Sequence, residues 1–165
     1  MATADDGRIN VDMEHNCFGC GDLSAHGLHL SFYPDEGGGV WTAFVPAERF
    51  EGYTGMVHGG VISTVLDEVM AWSLYRNEIW AVTVSLSVRY RAPIRVRERT
   101  RAVGWVVRRR GRRIEAAGEI RRAEDGKALA SATATFVQVP EPQAREWRER
   151  YLGDGNRHAE VAGKG

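Results

Sequence analysis

The sequence predicts an α+β fold in which an antiparallel sheet wraps around one long helix. Three observations predict it. Only residues 58–75 carry a sustained helical apolar repeat, through Val61, Ile62, Val65, Leu66 and Val69. Two apolar alternations precede that stretch and four follow it, bounded by Gly, Pro or Asp-Gly. The last of them, "KALASATATFVQV", lines one face with alanine, which lets the lone helix pack closely against it.

The elements follow in order. "GLHLSFY" alternates Leu28, Leu30 and Phe32 and reads as the first strand; "GGG" at 37–39 turns the chain into "VWTAFVP", the second strand of a hairpin. "AERFEGYTG" is a loop, with Phe50 and Tyr53 as candidate walls of a pocket. After the helix, "AVTVSLSVRYRAP" sets Val82, Val84, Leu86, Val88 and Tyr90 against Thr83, Ser85, Ser87, Arg89 and Arg91, and Pro93 ends it. Strands over about 100–109 and 112–122 flank "RRRGRR", with Gly111 at the tip, and "EDG" at 124–126 precedes the final strand. Trp41, Trp72, Trp80 and Trp105 fall on strands or the helix and read as core or interface. The expected layout is a flexible leader 1–14, one domain over 15–140, and a tail 141–165 with a short helix and a disordered end.

With 165 residues, 43% of them hydrophobic and 27% charged, the chain is long enough for one well-buried core. It has no apolar run long enough to span a membrane and no signal-peptide core, so a cytoplasmic protein without a membrane partner is expected. The net charge is zero but uneven: residues 89–122 hold thirteen arginines against Glu98, Glu115 and Glu119, while the first sixty residues are acidic. That asymmetry suits a local anionic ligand. Nucleic acid is not expected, because no aromatic side chains interleave with the arginines as stacking platforms.

The informative stretch is "TGMVHGGVISTVLDEVM", 54–70. At 100° per residue, Asp67 lies nearly in line with Gly60, among Ser63, Thr64 and Ala71 and away from the main apolar stripe. A carboxylate there is ordinarily just the wet side of an amphipathic helix. Gly59 and Gly60 argue for more, since glycines at a helix start let a ligand oxygen approach N–H groups that have no helical partner. A helix start able to hold an oxyanion, with a carboxylate two turns along the same face, suits acyl transfer. Glu68, nearer the apolar stripe beside Trp72 and Tyr75, reads as a residue with a structural partner.

"GMVHGGVISTVLDEVM" resembles the signature of the hotdog-fold acyl-CoA thioesterases, in the branch that includes phenylacetate-pathway enzymes. In that signature His-Gly-Gly opens the central helix and an acidic residue follows nine positions after the His, here His58 and Asp67. "AVTVSLSVRYRAPI", "RRRGRR", "ALASATATFV" and the leader "HNCFGCGDLSAHGLHLSF" extend the resemblance over roughly 15–139. It implies a homodimer or homotetramer with active sites at the dimer interface. It also implies a thioester carbonyl polarised by the N–H of Gly60, Asp67 as nucleophile or general base, and an assisting hydroxyl at Thr83, or Ser85 if the alignment shifts by two. His58 would orient groups at the mouth. Gly59 would lie against coenzyme A, and Arg89, Arg91, Arg112 and Arg113 would meet its phosphates, which arginine's planar fork matches. Most other arginines read as a solvated face. Many relatives carry Asn or Gln shortly before His-Gly-Gly; here Gly52 stands near that place, leaving the backbone, Glu51 or a heavier reliance on Asp67 to compensate.

"HNCFGCG" offers Cys17 and Cys20, with His15 and His26 nearby. Three readings stand: a tight turn with two small half-buried thiols, which is preferred; a structural zinc site; or a redox pair. No metal ligand set is assigned and no cofactor is required, coenzyme A being part of the substrate. The expected function is hydrolysis of acyl-CoA to free acid and coenzyme A. The rivals are a hotdog hydratase or dehydratase acting on acyl thioesters, and an acyl-CoA-binding module without turnover.

Overall fold

The computed structural model describes residues 7–10 and 13–152. They form β1 (Tyr33–Pro34), β2 (Val40–Phe44), a 3-10 turn (Glu48–Phe50), α1 (Gly59–Arg76), β3 (Ala81–Tyr90), β4 (Thr100–Arg110), β5 (Arg113–Arg122), β6 (Ala128–Gln138) and α2 (Glu141–Leu152). The strands make one sheet in the order β1-β2-β4-β5-β6-β3, every pair antiparallel. The α+β architecture expected from the sequence is the one observed. No helix among the described residues is long and apolar enough to cross a membrane.

The long helix lies on the sheet because the sheet has been cleared for it. Ile62, Val65, Leu66, Val69, Met70 and Leu74 of α1 are all buried. On β4, a Cβ at Gly104 would stand 2.3 Å from the carbonyl oxygen of Val69, so only glycine lets the α1 backbone come down that far. Ala130, Ala132 and Ala134 form the buried alanine face of β6. Phe32 closes the core from the side and stacks on Trp72, ring centroids 5.2 Å apart.

Three segments depart from the expectations. "GLHLSFY" contributes only Tyr33 to a strand, although Leu30 and Phe32 are buried as its alternation requires. His29 takes a left-handed φ of 49°, which breaks a ladder. The backbone N–H groups of Leu28 and Leu30 donate instead to the carbonyls of Phe18 and Gly19, at 2.8 and 3.0 Å. The leader puts Asn10 and Met13 into the packed interior: the Asn10 amide donates to the Leu30 carbonyl and accepts from the Phe32 N–H, both at 2.8 Å. The tail helix begins at Glu141, four residues before the "REWRERY" segment that suggests it. The expected disordered end, 153–165, and residues 1–6 and 11–12 of the leader lie outside the described residues.

β3 is an edge strand with an irregularity that decides the site. Thr83 pairs with Phe136 and Ser85 with Thr135, so the extra residue, Val84, is a bulge. Beyond it the phase reverses. Thr83 shares the helix-facing side with Phe136, and Leu86, Val88 and Tyr90 share that same side with Ala134, Ala132 and Ala130. Ser85, Ser87 and Arg89 are thereby turned to the opposite face.

Candidate active site

Asp67 and Thr83 meet: the Thr83 hydroxyl donates to Asp67 Oδ1 at 2.9 Å. Burial raises the Asp67 carboxyl above the usual range, and the Thr83 hydrogen bond opposes that rise. The pair borders a cavity of about 560 Å³ walled by Trp72, Tyr75, Trp80, Phe136, Trp147 and Tyr151, with Cys17, Cys20 and Glu68 also on its surface. Ser85 is not brought to Asp67; the bulge turns it away, and it borders a different cavity with Leu86, Ser87 and Val107.

The helix start belongs to a second cavity, of about 720 Å³, bordered by Gly52, Tyr53, Met56, His58, Gly59, Tyr90 and Arg91. His58 is the N-cap, and its Nδ1 accepts the Gly60 N–H at 2.9 Å. The N–H expected to meet a thioester carbonyl therefore has an internal partner that a ligand oxygen must displace or share. Tyr90 fastens this end of α1 to β3: its hydroxyl donates to the Gly59 carbonyl at 3.0 Å and lies 2.8 Å from the Ser63 hydroxyl. Gly52 is explained by the same ring, since a Cβ there would meet His58 Cα at 3.2 Å and Cδ2 at 3.4 Å. Glu51 does not take over, because its carboxylate accepts the Gly55 N–H at 2.8 Å. Of the two expected pocket walls, Tyr53 is on this cavity, while Phe50 is buried and does not line it.

Glu68 has the structural partner foreseen for it, the leader cysteines. The Cys17 thiol lies 3.6 Å from Glu68 Oε1, and the two sulfurs and the carboxylate all fall within 4.8 Å of one another. Burial pushes the Glu68 carboxyl up to about 8. Cys20 donates to the Cys17 sulfur, which pulls Cys17 down to about 5 and drives Cys20 far upward. His15 caps the loop through its Nδ1, which accepts the Cys17 N–H at 3.3 Å, while His26 is exposed and outside the cluster.

The arginines divide by partner. Arg97, Arg101, Arg108, Arg121 and Arg122 pair with Glu48, Asp35, Glu115, Glu119 and Glu98. Arg112 holds the Gln138 carbonyl with two nitrogens, at 3.0 and 2.9 Å, and Arg113 opens β5 beside it, exposed. Arg91 lies on the His58 cavity; Arg89 points to the other face of β3. Sequence reasoning missed Trp147 and Tyr151 as cavity walls. Their i,i+4 spacing in "EWRERY" is the signal that carried this information.

Residues 54–129 match the model of the thioesterase superfamily. An uncharacterized protein of Schizosaccharomyces pombe strain 972 is 32% identical over 112 residues, 65% of this chain and 64% of that protein. The crystal structure of a thioesterase superfamily protein superposes with a TM-score of 0.69 at 29% identity, covering 73% of this chain and 62% of that one. This chain thus spans under two thirds of the length of both. A phenylacetic acid degradation-related protein from Ralstonia eutropha JMP134 aligns at 25% identity and TM-score 0.59, covering 67% and 85%. A Streptococcus pneumoniae TIGR4 protein solved with coenzyme A shares the fold at 18% identity and TM-score 0.62, covering 67% and 85%. The architecture is that of the hotdog fold, and the matched segment, just under half of the chain, is similar to the thioesterase superfamily.

Proposed function

We propose that the protein hydrolyses acyl-CoA thioesters to a free acid and coenzyme A, at sites assembled between two copies of the chain. The observation that carries this reading is the Asp67 carboxylate, held by Thr83 at 2.9 Å and facing an aromatic-walled cavity of about 560 Å³. Such walls suit a bulky or aromatic acyl group. Water attacks the thioester carbon as Asp67 takes its proton, and the oxyanion is held at the Gly60 N–H as His58 turns aside. Collapse breaks the C–S bond; the coenzyme A thiolate leaves and takes up a proton. Asp67 acting as nucleophile through an anhydride yields the same products, and 18O-labelled water in a single turnover separates the two routes.

The split between the halves supports the two-copy arrangement. Gly60 and Asp67 are seven residues apart, roughly 10 Å of helix axis, against the roughly 3 Å of a reactive approach. Tyr90 anchors the Gly59 end of α1 to one end of β3, and Thr83 anchors Asp67 near the other. Among the described residues the outer edge of β3 has no neighbouring strand, and β3 exposes Val82, Val84, Leu86 and Tyr90. Antiparallel pairing of β3 with its copy about a two-fold axis sets the Thr83–Asp67 end of one chain beside the Tyr90–Gly59 end of the other. Arg91 of one copy and the Arg112–Arg113 hairpin of the other are then the groups placed for coenzyme A phosphates. Coenzyme A in the streptococcal relative agrees with that ligand class.

The test is thiol release from short, long and aromatic acyl-CoA esters by wild type and Asp67→Asn, with protein-only blanks for Cys17 and Cys20. Turnover on at least one ester, lost on substitution, is expected. Binding of acyl-CoA without turnover on any ester would replace the enzyme with a binding module.

A further inference from the structure

Two sulfurs and a carboxylate converge beside Asp67, and the acyl-transfer chemistry uses none of them. We propose that Cys17, Cys20 and Glu68 bind a divalent cation of the zinc class, with the fourth coordination position open to the Asp67 cavity.

The distances carry the assignment. Bonds of about 2.3 Å to sulfur and about 2.0 Å to oxygen at tetrahedral angles place the two donor atoms roughly 3.5 Å apart. Cys17 Sγ and Glu68 Oε1 are 3.6 Å apart, and all three donor atoms fall within a 4.8 Å span. The loop is shaped to bring them together. A Cβ at Gly19 would lie 2.3 Å from Glu68 Cδ, and one at Gly21 would lie 2.1 Å from the His15 carbonyl oxygen. Neither position can carry a side chain while Cys17 and Cys20 cover Glu68.

The donor set also selects the ligand. Two thiolates with one carboxylate are too soft for magnesium or calcium and suit zinc or its neighbours. The Cys17 thiol hydrogen-bonds the Glu68 carboxylate, and no ion pair to Glu68 is found among the described residues. Three protein ligands with a cavity on the fourth side is the arrangement of a site that keeps a position for water or substrate. His15 is committed to the Cys17 N–H and His26 stands apart, so the histidines of the leader do not complete a closed structural site.

The experiment uses the full chain, purified under reducing conditions, with Zn2+ alone and Co2+ alone as probes; neither readout depends on thioester hydrolysis. Expected are one zinc per chain by elemental analysis and, with Co2+, a thiolate-to-metal charge-transfer band with the strong visible bands of a four-coordinate ion. Cys17→Ser and Cys20→Ser each weaken that band. Glu68→Gln, nearly isosteric, keeps the fold by circular dichroism and weakens Zn2+ binding more than about 100-fold, beyond what loss of an outer-shell partner costs. A folded wild type that takes up neither ion overturns the proposal, as does recovery of the pair as a Cys17–Cys20 disulfide that takes up no metal after reduction. Unchanged Zn2+ affinity in folded Glu68→Gln also overturns it. If the variants fail to fold, the wild-type cobalt spectrum decides, since its charge-transfer intensity counts the thiolates.

Discussion

A site divided between two copies predicts complementation between two dead variants. Asp67→Asn removes the carboxylate that Thr83 holds at 2.9 Å, and Gly60→Pro removes the N–H that His58 now accepts at 2.9 Å. Proline suits a helix's first turn, where N–H groups have no helical partner, once the His58 ring, whose Nδ1 would lie 3.1 Å from a Cβ at Gly60, turns aside. Each variant alone should be inactive. Co-expressed with two different tags and purified through both, they form a heterodimer in which one site inherits both lesions and the other neither. Its specific activity should be about half that of the wild-type dimer, one intact site of two. The assay is thiol release on the best ester, with mass by light scattering to confirm the dimer. A heterodimer as inactive as its parents would show that Gly60 and Asp67 act within one chain, and would refute the two-copy arrangement.

The remaining predictions test other links. Thr83→Val deletes the hydroxyl donor to Asp67; a hydrogen bond to a charged group is worth about 1.5–3 kcal/mol, and the partly open setting points to the lower end, so kcat should fall about tenfold with KM little changed and recover in Thr83→Ser. Val84→Lys places a charge on the free edge of β3, where Val84 is 54% exposed; light scattering should show monomer, and activity should fall with the dimer fraction. Gly104→Ala forces a Cβ to within 2.3 Å of the Val69 carbonyl oxygen, a backbone atom that cannot turn aside, so destabilisation of about 1–3 kcal/mol should lower Tm by roughly 2–12 °C.

The architecture was legible because it rests on local periodicities. One helical repeat, six turn-bounded segments and an alanine-faced strand fix which surface covers which. What stayed hidden depends on single residues acting at a distance. Nothing in "AVTVSLSVRY" marks Val84 as a bulge, since β-branched residues alternate straight through it. Yet that one residue separates Thr83 from Ser85 and turns Arg89 away from the helix side. The first apolar alternation misled for the opposite reason: its burial pattern is real, but left-handed His29 and the loop at Phe18–Gly19 take the hydrogen bonds that a strand would have used.

Charge was the least local feature of all. The arginine-rich half looked like a surface awaiting an anion, but Arg97 and Arg101 are paired with Glu48 and Asp35 from the acidic half, and Arg108, Arg121 and Arg122 with glutamates of their own segment. Linear asymmetry is thus partly cancelled by folding; Arg91 lies on the His58 cavity, and the exposed hairpin at Arg112–Arg113 lies near the other end of β3. The same tertiary logic separates the adjacent carboxylates of α1. A turn of 100° per residue sends Asp67 to Thr83 and Glu68 to the cysteine loop, so neighbours in sequence serve one cavity from two directions. Exchanging their chemistry should therefore fail: Asp67→Asn removes turnover and leaves zinc binding, while Glu68→Gln weakens zinc binding and leaves the Thr83–Asp67 pair in place.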